Sequence, residues 1–148
     1  MIKNMEVKVV NKSKYGLPKY QTSGAAGFDF YANIEVSYDI QPMQRILIPT
    51  GLYFEVPEGY ELMVRPRSGL ALKNGLTVLN TPGLVDSDYR GEVGVILINL
   101  SDRPVTINPG DRIAQGVISP IVQATLVEVE ELSETDRGAG GFGHSGNK

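Results

Sequence analysis

Apolar and polar residues alternate along most of this chain in short runs, interrupted at frequent intervals by glycine and proline. Met5, Val7 and Val9 alternate with Glu6 and Lys8, the two-residue period of a half-buried strand, which predicts a strand over residues 5–10. Lys14, Gly16, Pro18 and Lys19 make residues 12–21 a loop. Small residues 23–27 then feed a short aromatic strand, Phe28-Asp29-Phe30-Tyr31. Further strands are expected at 44–48, 51–56 and 60–64, separated by Pro49-Thr50 and Pro57-Glu58-Gly59. In the second of these, Leu52, Phe54 and Val56 fall on one face.

The period changes after Arg65. Ser68 has the side chain of an N-cap, residues 70–73 are good helix formers, and Gly75 is a natural stop, so one short helix is expected. Residues 93–98 are apolar on both faces, which predicts a central strand covered on both sides. Turns at 101–104 and 108–111 precede strands at 112–118 and 121–129, and acidic residues 128–136 end the globular part. Many short strands, frequent turns and one short helix imply an all-β jelly-roll-like barrel or sandwich over residues 1–132. Residues 133–148 form a separate glycine-rich tail.

Composition narrows the partners. With 148 residues, 41% hydrophobic and 21% charged, the chain is one domain with a real core. A net charge of −3 leaves no basic footprint for nucleic acid, so a polyanionic ligand would have to be met by local arginines and backbone amides. No cysteine is present, which removes disulfides, thiolate metal sites and thiol nucleophiles. No window is apolar enough for a leader or a membrane span, so a soluble, cytoplasmic protein is expected.

Two segments carry candidate chemistry. Residues 80–93 lie between apolar runs and hold Asp86, Asp88, Tyr89 and Arg90 between Gly83 and Gly91. They read either as a plain hairpin, with Asp and Ser forming the turn, or as a hairpin tip whose glycines let the backbone approach a flat, partly polar ligand. In the tail, residues 138–143 match G-x-G-x-x-G, and 138–145 match a P-loop with His144 in place of lysine. Both motifs need a following helix to hold phosphates, and none is expected over Gly146, Asn147 and Lys148. What remains is either a solvated tail or an arm that grips phosphate through glycine amides, Arg137 and Ser145, with Phe142 free to lie on a base. His144 is the only histidine, so no histidine cluster can bind metal. Adjacent to Ser145 on a flexible tail, it would make a poor triad.

Five segments together are more specific than any one of them. Ala26-Gly27-Phe28-Asp29, Pro66-Arg67-Ser68-Gly69-Leu70-Ala71, residues 83–93, Gly110-Asp111-Arg112-Ile113-Ala114-Gln115 and residues 137–143 occur in that order. In this set the chain closely resembles the deoxyuridine triphosphatase (dUTPase) family, over nearly its whole length. The resemblance implies a β-clip homotrimer with active sites at subunit interfaces. It also implies hydrolysis of dUTP to dUMP and diphosphate, an activity that cleans the nucleotide pool and supplies dUMP for thymidylate synthesis.

Transferred residue by residue, the resemblance makes Asp86 the acceptor that activates water against the α-phosphorus. Tyr89 would pack on the deoxyribose and exclude a 2′-hydroxyl, and Asn80 would read the uracil edge. Arg67, Ser68, Gly69 and Gln115 would hold the phosphates. Asp29 would accept from water on a Mg²⁺ chelated mainly by the triphosphate. Arg137, Phe142, Gly143 and Ser145 would close the site. Asp88 reads as a turn residue and Arg112 as a salt-bridge partner. Two rival readings compete with this one. A dCTP deaminase shares the fold, but its chemistry resembles one needing a carboxylate on the strand after the hairpin, and residues 93–100 offer none. A nucleotide-controlled regulatory protein on the same scaffold would not need an intact Asp86 and arm.

Overall fold

In a computed structural model describing residues 1–146, the alternating segments fold into ten strands and one helix. The order is β1 (Lys8–Asn11), β2 (Phe28–Tyr31), β3 (Tyr38–Ile40), β4 (Arg45–Glu55) and β5 (Tyr60–Arg65). Then follow α1 (Ser68–Asn74), β6 (Leu76–Val78), β7 (Gly83–Val85), β8 (Glu92–Asn99), β9 (Val105–Ile107) and β10 (Arg112–Pro120). One antiparallel sheet runs β1-β4-β8-β6, a second runs β2-β10-β5-β7, and β3 pairs with β9. The expected all-β sandwich with one short helix is what forms. Among the described residues no helix is long and apolar enough to cross a membrane.

The inner faces meet in a core built on Phe30, Ile48, Phe54, Leu62, Val95, Leu97 and Ile113. Phe30 packs edge-on to Phe54 with centroids 6.1 Å apart, and Phe28 stacks on Phe54 at the same distance. Full burial of one such side chain contributes about 1.5–3 kcal/mol, enough to set which face of each strand turns inward.

Several expectations are corrected. The strands predicted at 44–48 and 51–56 are one strand, β4, with a register shift against β8 between Pro49 and Tyr53. The proline lacks the N–H that an unbroken ladder needs, and Gly51 (φ 70°) takes up the irregularity. The Thr50 hydroxyl donates to the Val93 carbonyl at 2.6 Å, and the Gly51 amide donates to Glu92 Oε1 at 2.7 Å, so the bulge is tied to β8 by side chains. β8 is an internal strand as expected and is buried on one face through Val93, Val95 and Leu97, whereas on the other face Ile98 is buried but Gly94 and Ile96 only half-buried.

At α1 the cap position belongs to Arg67, with extended backbone and no side-chain cap bond; Ser68 is the first helical residue. The Arg67 carbonyl accepts the first helical bond from the Ala71 amide at 3.0 Å, while its side chain is drawn elsewhere. Gly75 ends the helix in the left-handed region (φ 63°), as expected. The strand predicted at 121–129 does not form within one chain. After the Ile121 amide donates to the Gly59 carbonyl, the segment has no strand beside it and therefore no ladder to join.

Candidate active site

Residues 76–99 begin as a hairpin, with Leu76, Thr77 and Val78 opposite Asn99, Ile98 and Leu97. Its tip does not stay in that sheet. β7 crosses to the other one, where Gly83, Leu84 and Val85 pair with Val64, Met63 and Leu62. A Cβ on Gly83 would meet the Val64 Cβ at 3.1 Å, so this glycine serves the approach of β7 to β5. Neither Gly83 nor Gly91 has a left-handed backbone, so neither is required as glycine by its own φ.

The turn after β7 presents Asp86 and Tyr89. It is held by the Tyr89 amide donating to the Asp86 carbonyl at 3.2 Å, and by Arg90 Nη1 donating to the Ser87 carbonyl at 2.7 Å. The sequence singles out Arg90 in this segment without assigning it a role; here it braces the turn. The Tyr89 hydroxyl donates to the Glu92 carbonyl at 3.1 Å. Asp86 is exposed, and among the described residues no side-chain hydrogen bond or ion pair engages its carboxylate. Such an acceptor can orient water.

Two cavities border Asp86. The larger, about 990 Å³, is lined by Glu55, Glu58, Glu61 and Asp88 as well as Lys8 and Arg90, an excess of acid that repels a polyanion. The smaller, about 190 Å³, is lined by Leu84, Val85, Tyr89, Glu92, Val93 and Gly94. The smaller one sets the Tyr89 ring and the aliphatic side chains of Leu84, Val85 and Val93 beside Asp86, surfaces on which a base and sugar can pack, so it is the better candidate despite its size.

A second cluster forms where β2, β10 and the start of α1 meet. Asp29 on β2 lies opposite Gln115 on β10, which in turn lies opposite Arg65 on β5. The Asp29 carboxylate is buried between two guanidinium groups: Arg67 Nε lies 3.2 Å from Oδ1 and Arg112 Nη1 3.2 Å from Oδ2. Arg67 Nη1 also donates to the Arg112 carbonyl at 3.0 Å. Arg67 is thus held through Nε and one N–H of Nη1, which leaves both N–H of Nη2 and the second of Nη1 available to an anion. Arg112 forms the salt bridge expected of it. Ser68 and Gly69 are exposed beside this cluster.

The remaining predicted residues lie apart. Asn80 is exposed, with its amide nitrogen beside Gly83. Arg137 and Phe142 line none of the cavities described above or the space of about 330 Å³ beside Arg67 and Arg112. Residues 135–146 turn upon themselves through local backbone bonds, Arg137 Nε donates to the Gly140 carbonyl at 2.7 Å, and Phe142, Gly143 and Ser145 are exposed. The last two residues of the tail, 147 and 148, lie outside the described residues.

Among the described residues, no group of three or more His, Asp or Glu side chains is arranged to hold a metal ion. The donor set fits Mg²⁺ in one limited sense. Asp29 Oδ1 is buried and, although Arg67 Nε lies 3.2 Å away as an ion pair, it accepts no aligned hydrogen bond, which leaves it one acceptor for a water of an ion whose other ligands come from phosphate and solvent.

Known proteins resemble this chain throughout. The dUTPase family pattern matches residues 13–146. A deoxyuridine 5'-triphosphate nucleotidohydrolase of Fusobacterium nucleatum is 56% identical over 145 residues, covering 98% of this chain and 99% of that protein. One from Chlamydia pneumoniae is 64% identical over 131 residues, covering 88% and 90%. The solved dUTPase of Staphylococcus bacteriophage 80alpha with dUPNHPP superposes with a TM-score of 0.87 at 28% identity, covering 97% and 99%. A dUTPase from phage phi11 of S. aureus, described with a structural Mg(II) ion, superposes at 0.74 with 26% identity, covering 86% and 98%. The chain belongs to the dUTPase family.

Proposed function

We propose that this protein hydrolyses dUTP to dUMP and diphosphate by direct attack of water on the α-phosphorus. The observation that carries the reading is the family match over residues 13–146, with Asp86 exposed and unpaired on its held turn. Asp86 orients the water and accepts its proton as the new P–O bond forms. The bond from the α-phosphorus to the bridging oxygen breaks, and diphosphate leaves. Tyr89 packs on the deoxyribose and Asn80 pairs with the uracil edge; a site built for one edge leaves its own groups unpaired against another. Arg67, through its available Nη2, and Ser68, Gly69 and Gln115 bind the phosphates. Mg²⁺, when bound by the triphosphate, neutralises its charge, and Asp29 supplies one acceptor toward the ion's water.

The active unit is a homotrimer in the cytoplasm, with sites completed between copies. Two features support the assembly. Asp86 and Tyr89 line one cavity while Arg67 and Arg112 line another, so a single chain presents the site in two separate parts. Residues 121–132 leave Val122, Leu126 and Leu132 almost fully exposed, apolar surface of the kind a second copy covers. Residues 1–132 form the domain, and the arm, 133–148, folds over bound nucleotide through Arg137, Phe142, Gly143 and Ser145. Closure of that kind excludes bulk water and holds the reacting groups in line.

Incubating the protein with each deoxynucleoside triphosphate and separating the products tests the reading. Conversion of dUTP alone to dUMP is expected, with Asp86→Asn binding nucleotide but losing most turnover. Release of dUTP from dCTP, or no turnover of dUTP, refutes it.

A further inference from the structure

We propose that Gly91 is a sugar-specificity determinant that acts by setting the ring of Tyr89. The inference rests on the reading of Tyr89 as the residue packed against the deoxyribose. Gly91 has no left-handed backbone to accommodate, so alanine suits its main chain as well as glycine does. What alanine lacks there is room. A Cβ built on Gly91 collides with the Tyr89 hydroxyl oxygen and lies 2.5 Å from Cζ and 3.0 Å from Cε2. Beyond the adjoining residues of the chain, all three nearest atoms belong to that one phenol. At Gly83, by contrast, the near atoms belong to Val64 and Asn80, and at Gly116 to the core rings of Phe28 and Phe30.

The phenol is therefore clamped from two sides. One edge lies on the bare Cα of Gly91, and the hydroxyl donates to the carbonyl of Glu92. That carbonyl belongs to a fixed residue: Glu92 pairs with Tyr53 across β4 and β8, and its side chain accepts from the Gly51 amide at 2.7 Å. Tyr89 as a whole is 46% exposed, and it lines the small cavity that Asp86 also lines. Because the atoms a methyl at position 91 would meet belong to the exposed phenol and not to a backbone, it is the ring that must shift, and with it a wall of the cavity that Asp86 also lines. Sugar discrimination depends on ring position at the scale of a single carbon atom, so a displacement of this size is felt.

The test is a double-mutant cycle on Gly91→Ala and Tyr89→Ala, reading kcat/KM for dUTP and for UTP. Gly91→Ala is expected to lower the dUTP-to-UTP ratio by about tenfold to a hundredfold, mainly through loss of dUTP turnover. In the Tyr89→Ala background the phenol is gone, and the same substitution is expected to change the ratio by less than about twofold. A Gly91→Ala protein that keeps the parental ratio overturns the proposal, as does an equal loss with and without the phenol. Tyr89→Ala that leaves the ratio intact also overturns it, and places the failure in the sugar reading of Tyr89. If Gly91→Ala fails to fold alone but folds with Tyr89→Ala, the clash is located at the phenol and the proposal stands. If neither folds, Gly91 serves the fold and the proposal falls.

Discussion

Replacing Asp29 with asparagine removes the charge that two arginines share while keeping the shape of the side chain. Each guanidinium contact is 3.2 Å long, and the Asp29 side chain is 6% exposed, against 29% for Arg67 and 45% for Arg112. A hydrogen bond to a charged group contributes about 1.5–3 kcal/mol when shielded and about 0–1 kcal/mol at the surface. Half-exposed arginines fall between those limits, so the two contacts together are worth about 2 kcal/mol. In a chain of 148 residues, 1 kcal/mol corresponds to about 2–4 °C, which places the loss in thermal midpoint near 4–8 °C at fixed protein concentration. Arg67 also loses the anchor on its Nε, so KM for dUTP is expected to rise roughly tenfold, the equivalent of about 1.4 kcal/mol. Calorimetry and steady-state diphosphate release measure the two effects separately. A midpoint within about 1 °C of the parent together with an unchanged KM would refute the anchoring role. So would a variant that keeps its midpoint and loses only its response to Mg²⁺, because that outcome places Asp29 at the metal.

Two other perturbations follow from packing and from the arm. Gly116 lies opposite Phe28 across β2 and β10, and a Cβ there would press on Phe28 Cζ at 2.7 Å and Phe30 Cζ at 2.9 Å. Gly116→Ala is expected to cost about 1–3 kcal/mol by overpacking, seen as a lower denaturation midpoint; an unchanged midpoint would mean that the aromatic cluster relaxes freely. Ending the chain after Leu132 removes a segment whose backbone bonds are local, so the midpoint should stay within about 2 °C while dUTP turnover falls at least about tenfold. Full activity of the truncated protein would remove the arm from the mechanism.

Local chemistry was legible in the sequence wherever neighbouring residues decide the outcome. The strand at Phe28–Tyr31, the inward face of Leu52, Phe54 and Val56, and the helix stop at Gly75 each depend on side chains within a few positions, and each formed as expected. The five segments that carry the family resemblance are likewise contiguous, so their order and content could be read directly. Prolines misled at Pro49, where a break in the alternation became a bulge because Thr50 and Gly51 found partners on β8.

Tertiary structure alone decided the rest. Asp29 and Arg112 are 83 positions apart, and their contact exists only because β2 and β10 pair. The crossing of β7 to the second sheet depends on an open edge at β5, which no local pattern encodes. Residues 121–129 have the alternation of a strand and stay unpaired, because a strand needs a neighbour's backbone as well as its own residues. The closeness of Gly91 to the Tyr89 ring was equally invisible, since it lies in the space taken by a side chain and not in the glycine's own backbone angles. A residue's sequence neighbours set its conformational preferences, whereas burial, pairing and close approach are settled by atoms that only the folded chain brings near.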